Sequence, residues 1–184
     1  MGTKKSQRLF IYIILAAATL AAALEVTAAR GGVPRPKPET PWLAPLEIMD
    51  QAIERGDLTS AETARHEAYR AAIASRKWEG FLAAGDAILR VGEATQNRGT
   101  AEPEARRLYL SALFHARDQR SLDGVLLATE AFGRLGDRNV VDKGIHIARD
   151  LAGSDPEAHA RVRLVADRSN HSAAAGGAPS QVVR

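Results

Sequence analysis

An all-α protein, antiparallel helical hairpins stacked in a short array behind a single N-terminal apolar helix, is what three observations in this 184-residue sequence predict. The composition is 45% hydrophobic with much alanine but only 5% aromatic, which suits closely packed helices and not a sheet. From Lys77 to Gln96 the residues Trp78, Phe81, Leu82, Gly85, Ile88, Leu89 and Gly92 recur at helical spacing on one narrow stripe. Gly56-Asp57 and Gly136-Asp137 then supply a helix stop followed at once by a helix cap, the chemistry of a hairpin between helices.

The chain begins with Lys4, Lys5 and Arg8, followed by the uncharged run Leu9 to Leu24 of 16 residues, or 21 when extended to Ala29 across Glu25. A spanning helix needs about 17–25 residues and a signal-peptide core about 7–15. The run therefore reads as a signal-anchor over residues 9–29, the N terminus inside and the remainder on the periplasmic or extracellular side. Cleavage near Ala28 or Ala29, at small-x-small sites, is the alternative and would leave a secreted or periplasmic protein. The sequence has no cysteine, which excludes disulfides and a lipid-attached cysteine. Apart from the first three basic residues, 22 basic side chains balance 22 acidic ones, interleaved along the chain. Nucleic-acid binding needs a net basic stripe and is excluded.

Five of the eight prolines fall between Arg30 and Pro45, which predicts an extended linker over 30–45. A helical domain is expected over 46–168, and the Ala-, Gly- and Ser-rich stretch 169–184 reads as a disordered tail. Seven helices are expected. Two flank Gly56-Asp57, and the third, Lys77–Gln96, carries Gly85 and Gly92 on its buried stripe. Glycine there costs about 1 kcal/mol relative to alanine, so a neighbouring helix must pass very close. A loop over Asn97–Glu102 precedes a helix opened by Pro103 and running to Gln119, whose Leu108, Tyr109, Leu110, Ala112, Leu113, Phe114 and Ala116 cover most of its circumference and predict the most buried element. Ser121 caps the next helix, with Val125, Leu126, Thr129 and Phe132 inward until Gly136. Arg138–Ala152 follows, and Asp155-Pro156 opens a mostly polar last helix suited to end the stack.

Val125, Ala128, Thr129, Phe132, Gly136, Val141, Ile145 and Ala148, with Gly56, Ala61 and Ala68 earlier in the chain, resemble the packing positions of the tetratricopeptide repeat, a helical hairpin of about 34 residues. The two Gly-Asp turns stand 80 residues apart, and Val141 takes the place of the family's usual alanine. The resemblance implies a degenerate tetratricopeptide-type solenoid with a concave protein-binding surface and no reaction.

No phosphate-binding glycine loop, His-Glu-x-x-His or nucleophile elbow is present. Asp142, His146 and Asp150, four apart on one helix face, are the candidate metal set, though that face points away from the apolar stripe and reads first as solvated surface. Glu62 and His66 share a face in the same way. His115 falls on the most buried helix and is expected in the core. Trp42, between Pro41 and Leu43, reads as the residue that pins the linker onto the domain, with partner docking as the alternative. These features predict a membrane-anchored or exported adaptor or assembly factor that binds protein partners and the membrane through residues 9–29, with no cofactor, no small-molecule substrate and no catalysis. A small exported enzyme or metal-binding accessory protein using Asp142, His146 and Asp150 is the second reading. A structural subunit held in a membrane complex by its N-terminal helix is the third.

Overall fold

The structure, a computed structural model, describes residues 40–175. The expected apolar helix at 9–29 and most of the linker lie outside them. Among the described residues there are seven helices and no strand: α1 (Leu43–Glu54), α2 (Leu58–Ser75), α3 (Trp78–Ala94), α4 (Arg98–Asp118), α5 (Leu122–Arg134), α6 (Arg138–Ala152) and α7 (Pro156–Ala175). None is long and apolar enough to cross a membrane.

One turn chemistry joins most of them. At Gly56-Asp57 the glycine N–H donates to the Ile53 carbonyl and the aspartate N–H to that of Ala52, both at 2.9 Å. This pair of bonds satisfies the orphaned carbonyls at a helix end and places the first residue in the left-handed region. The same pair recurs at Gln96-Asn97, Arg120-Ser121 and Gly136-Asp137, with φ of +56°, +54° and +75° at the leading residue. Asp57 then accepts the Ser60 N–H at 3.0 Å and Ser121 that of Gly124 at 3.1 Å, as N-caps do. Asp137 departs from the expected capping: its carboxylate is drawn instead to Arg106 on α4, 2.7 Å away.

Gly56, Gln96 and Gly136 stand 40 residues apart, and the positions around them keep register. Ala52, Gly92 and Phe132 are all buried, as are Ala61, Ala101 and Val141, and Ala72, Ala112 and Ala152. Each helix packs on the next in sequence, and the odd-numbered helices also touch in order, α1 on α3, α3 on α5 and α5 on α7. Small residues allow the close crossings. A β-carbon at Gly85 would overlap the ring of Tyr109, and one at Gly92 would overlap Ala101, so the two stripe glycines lie where α4 crosses α3.

Several expected boundaries move. α1 starts at Leu43, inside the expected linker, because Pro45 falls in its first turn, where no backbone N–H has an intrahelical partner anyway. The expected loop Asn97–Glu102 is mostly helix: α4 begins at Arg98, and its first turn is held by the Arg98–Glu102 ion pair at 2.9 Å and by Thr100 Oγ1 donating to the Asn97 carbonyl at 3.1 Å. Pro103 therefore sits inside the helix, at the cost of one ladder bond. α4 is also not buried all round. Leu110 and Phe114 face outward, with the Arg117 guanidinium 5.1 Å over the Phe114 ring. Finally, α7 continues to Ala175, through the start of the expected tail, with Ser169 buried against Gly133 of α5.

Candidate functional site

The odd-numbered helices share one face, and ion pairs cross every junction on it. Asp50 of α1 meets Arg90 of α3 at 3.3 Å, and Asp86 of α3 meets Arg134 of α5 at 3.0 Å. From α5 to α7, Asp123 pairs with Arg161, and Glu130 with Arg168 at 3.3 Å. In each case the acid stands on the earlier helix and the arginine on the later one. Exposed pairs of this kind contribute little singly, roughly 0.2–1 kcal/mol, but they order the helices side by side. The Tyr109 hydroxyl donates to Asp86 from below at 2.6 Å. Burial, and then that carboxylate, push its phenol well above the usual range.

Between α5, α7 and the start of α3 this face opens a cavity of about 460 Å³. Its walls include Trp78, Leu126, Leu127, Leu164 and Val165, and the ion-paired residues Asp123, Glu130, Arg161 and Arg168 also line it. Leu127 and Leu164 are 46% and 51% exposed, large apolar side chains offered to solvent beside a half-buried tryptophan.

A second cavity, about 560 Å³, lies between α2, α3 and α4 and has a polar wall. Arg65 is its unusual member, a charged residue only 7% exposed at the position that Ala105 and Ile145 occupy 40 and 80 residues later. Its Nε and Nη2 donate to the two oxygens of Glu62 at 2.9 and 2.6 Å, and Glu104 lies 3.7 Å away. Hydrogen bonding to Arg65 lowers the Glu62 pKa, and the same bond raises that of Arg65. His66 Nε2 stands 3.1 Å from Arg65 Nη2 and 3.2 Å from Glu62 Oε1. The charges of this cluster pair with one another.

Asp142, His146 and Asp150 are all exposed on α6. His146 Nε2 lies 3.7 Å from Asp150 Oδ2, both side chains largely in solvent. No group of three or more His, Cys, Asp or Glu among the described residues is arranged to hold a metal ion. Trp42 is 2% exposed and belongs to the core. His115 is half-buried and stacks on Phe81 with ring centroids 4.8 Å apart. Sequence reasoning missed the ion-pair ladder, the leucine cavity and Arg65. A signal for the first existed in opposite charges 38 to 48 residues apart, near the hairpin spacing. No protein-family model, curated protein or solved structure matches the chain.

Proposed function

We propose that this protein is a helical-repeat adaptor or assembly factor, anchored in a membrane by residues 9–29 or exported, that binds other proteins and performs no catalysis. The observation that carries the reading is the common face of α1, α3, α5 and α7, crossed by ion pairs at each junction and opened by an apolar cavity. Helices arrayed side by side in this way make an extended surface of the kind solenoids use for protein partners. The 40-residue spacing of the turns and of the buried positions supports a repeat. That spacing exceeds the roughly 34 residues of a tetratricopeptide unit, so a general helical-hairpin stack describes the chain better than strict membership of that family.

A photoreactive amino acid at position 90, on the shared face, tests this in intact cells against one at position 143, on the exposed side of α6. The expected result is a discrete crosslinked protein from position 90 and none from position 143. Absence of any crosslink from position 90, or equal labelling from both, overturns the adaptor reading. Sedimentation of the same protein with membranes after an alkaline wash supports the anchor, whereas a soluble mature chain starting near Ala29 or Arg30 replaces it with cleavage.

A further inference from the structure

The cavity between α5 and α7 has a charge pattern that a generic partner does not require. On α5, Asp123, Leu127 and Glu130 lie at i, i+4 and i+7, so one face presents acid, leucine, acid. On α7, Arg161, Leu164 and Arg168 lie at i, i+3 and i+7, so the facing stripe presents base, leucine, base. The pairs Asp123–Arg161 and Glu130–Arg168 set the two stripes in step and show that α5 and α7 run in the same direction. The patch is thus divided lengthwise, negative along one helix and positive along the other, with two exposed leucines in the middle and the Trp78 side chain in the same cavity.

Such a patch is complementary to itself. A twofold axis parallel to the helices turns a second copy face to face with the first, so that α5 of each lies over α7 of the other. Leu127 of one copy then covers Leu164 of its partner, and each acidic stripe meets a basic one. A twofold axis across the helices would instead set acid on acid and base on base. Closed dimers need a surface of the first kind, one patch that matches itself after rotation. We propose that the occupant of this cavity is a second copy of the chain, bound as a parallel, twofold-symmetric dimer through α5 and α7. The inference rests on reading the odd-helix face as an interaction surface and assigns its C-terminal third to self-association. Leucines buried at the centre supply the attraction, and the charged stripes set orientation and exclude the alternative.

The test is the mass of the purified full-length chain by light scattering in mild detergent at micromolar concentration, where each chain contributes 19.7 kDa. The wild type is expected as a dimer whose dissociation constant rises with salt. D123K/E130K and R161E/R168E, each checked for helicity by circular dichroism, are expected to be monomers, their dissociation constants raised by about tenfold or more. Mixed in equal amounts they should dimerise again, because the reversed α5 stripe of one variant now meets the reversed α7 stripe of the other, and the two native stripes meet each other. Leu127→Asp, which leaves all four charged residues in place, should also be monomeric. A monomeric wild type, a dimer that survives both double variants, or a mixture that stays monomeric while both variants are folded overturns the proposal. A monomer that still crosslinks a different protein from position 90 would end the dimer and leave the adaptor reading standing.

Discussion

The first and third hairpins share a backbone plan and fill it differently. Both turn through a Gly-Asp pair with the same two hydrogen bonds, and both bury the residues 52 and 132, 61 and 141, and 65 and 145 that stand 80 apart. The first hairpin has Ala52, Ala61 and Arg65 at those positions, and the third has Phe132, Val141 and Ile145. The 560 Å³ cavity between α2, α3 and α4 has the Arg65–Glu62–Glu104 charges in its wall, where the matching Ile145 of the third hairpin is apolar. In the third hairpin Phe132, Val141 and Ile145 are buried, and the openings of that end lie against α7. Turn chemistry therefore sets the register, while the side chains at matching positions set the volume and polarity of the packing.

The largest expected effect breaks the filled end. Phe132→Ala should cost about 3–5 kcal/mol, because it removes a fully packed ring and leaves a cavity that the stack cannot collapse. Ala52→Gly at the matching place should cost only about 1 kcal/mol, through helix propensity. Urea unfolding of both variants measures the difference, and equal losses would mean that the two hairpins are not packed as unlike cores. Next in size is Gly85→Leu, which would drive a side chain into the Tyr109 ring. It should lower stability by about 1–3 kcal/mol. A raised unfolding midpoint for this variant would contradict the close crossing of α3 and α4.

The middle turn sharpens the comparison with the opposite sign. Gln96 holds φ at +56°, where Gly56 and Gly136 stand in the flanking hairpins. An L-residue in that region costs about 1–2 kcal/mol. Gln96→Gly should therefore raise stability by about 0.5–1 kcal/mol after the entropy cost of glycine. Loss of stability would show that the Gln96 side chain does something its turn geometry does not reveal.

The smallest effect concerns pH. Arg65 holds the Glu62 carboxyl below its ordinary value of 4.5, so the pair stabilises the fold above that pH, and the contribution is lost as pH falls through the lower folded value. Arg65→Leu, which copies the apolar filling at Ile145, should change little at pH 7 and should flatten the loss of stability below about pH 4.5. Unfolding midpoints from pH 7 to pH 3 would show it, and an unchanged acid limb would mean that the pair contributes nothing to the fold.

What the sequence by itself determined is local. A capping side chain, a proline near a helix start and a stripe of apolar residues act within one or two turns, and this is why the caps at Asp57, Ser121 and Asp155 and the third helix at Trp78–Ala94 were readable in advance. Even the crossing of α3 and α4 was legible, since Gly85 and Gly92 on an apolar stripe make sense only where another helix comes close. Only the tertiary structure decided the rest. Gln96 and Arg120 carry no turn signature, yet both stand in the left-handed region with the same pair of turn bonds as the glycines. Pro103 suggested a start that the bonds around Asn97 moved five residues earlier. Whether Asp50 meets Arg90, or Leu127 and Leu164 stay at the surface, depends on which helices lie side by side 38 to 48 residues apart. Helical periodicity reports only a residue's relation to neighbours three or four places away, so the face that would bind a partner emerged when the hairpins were stacked.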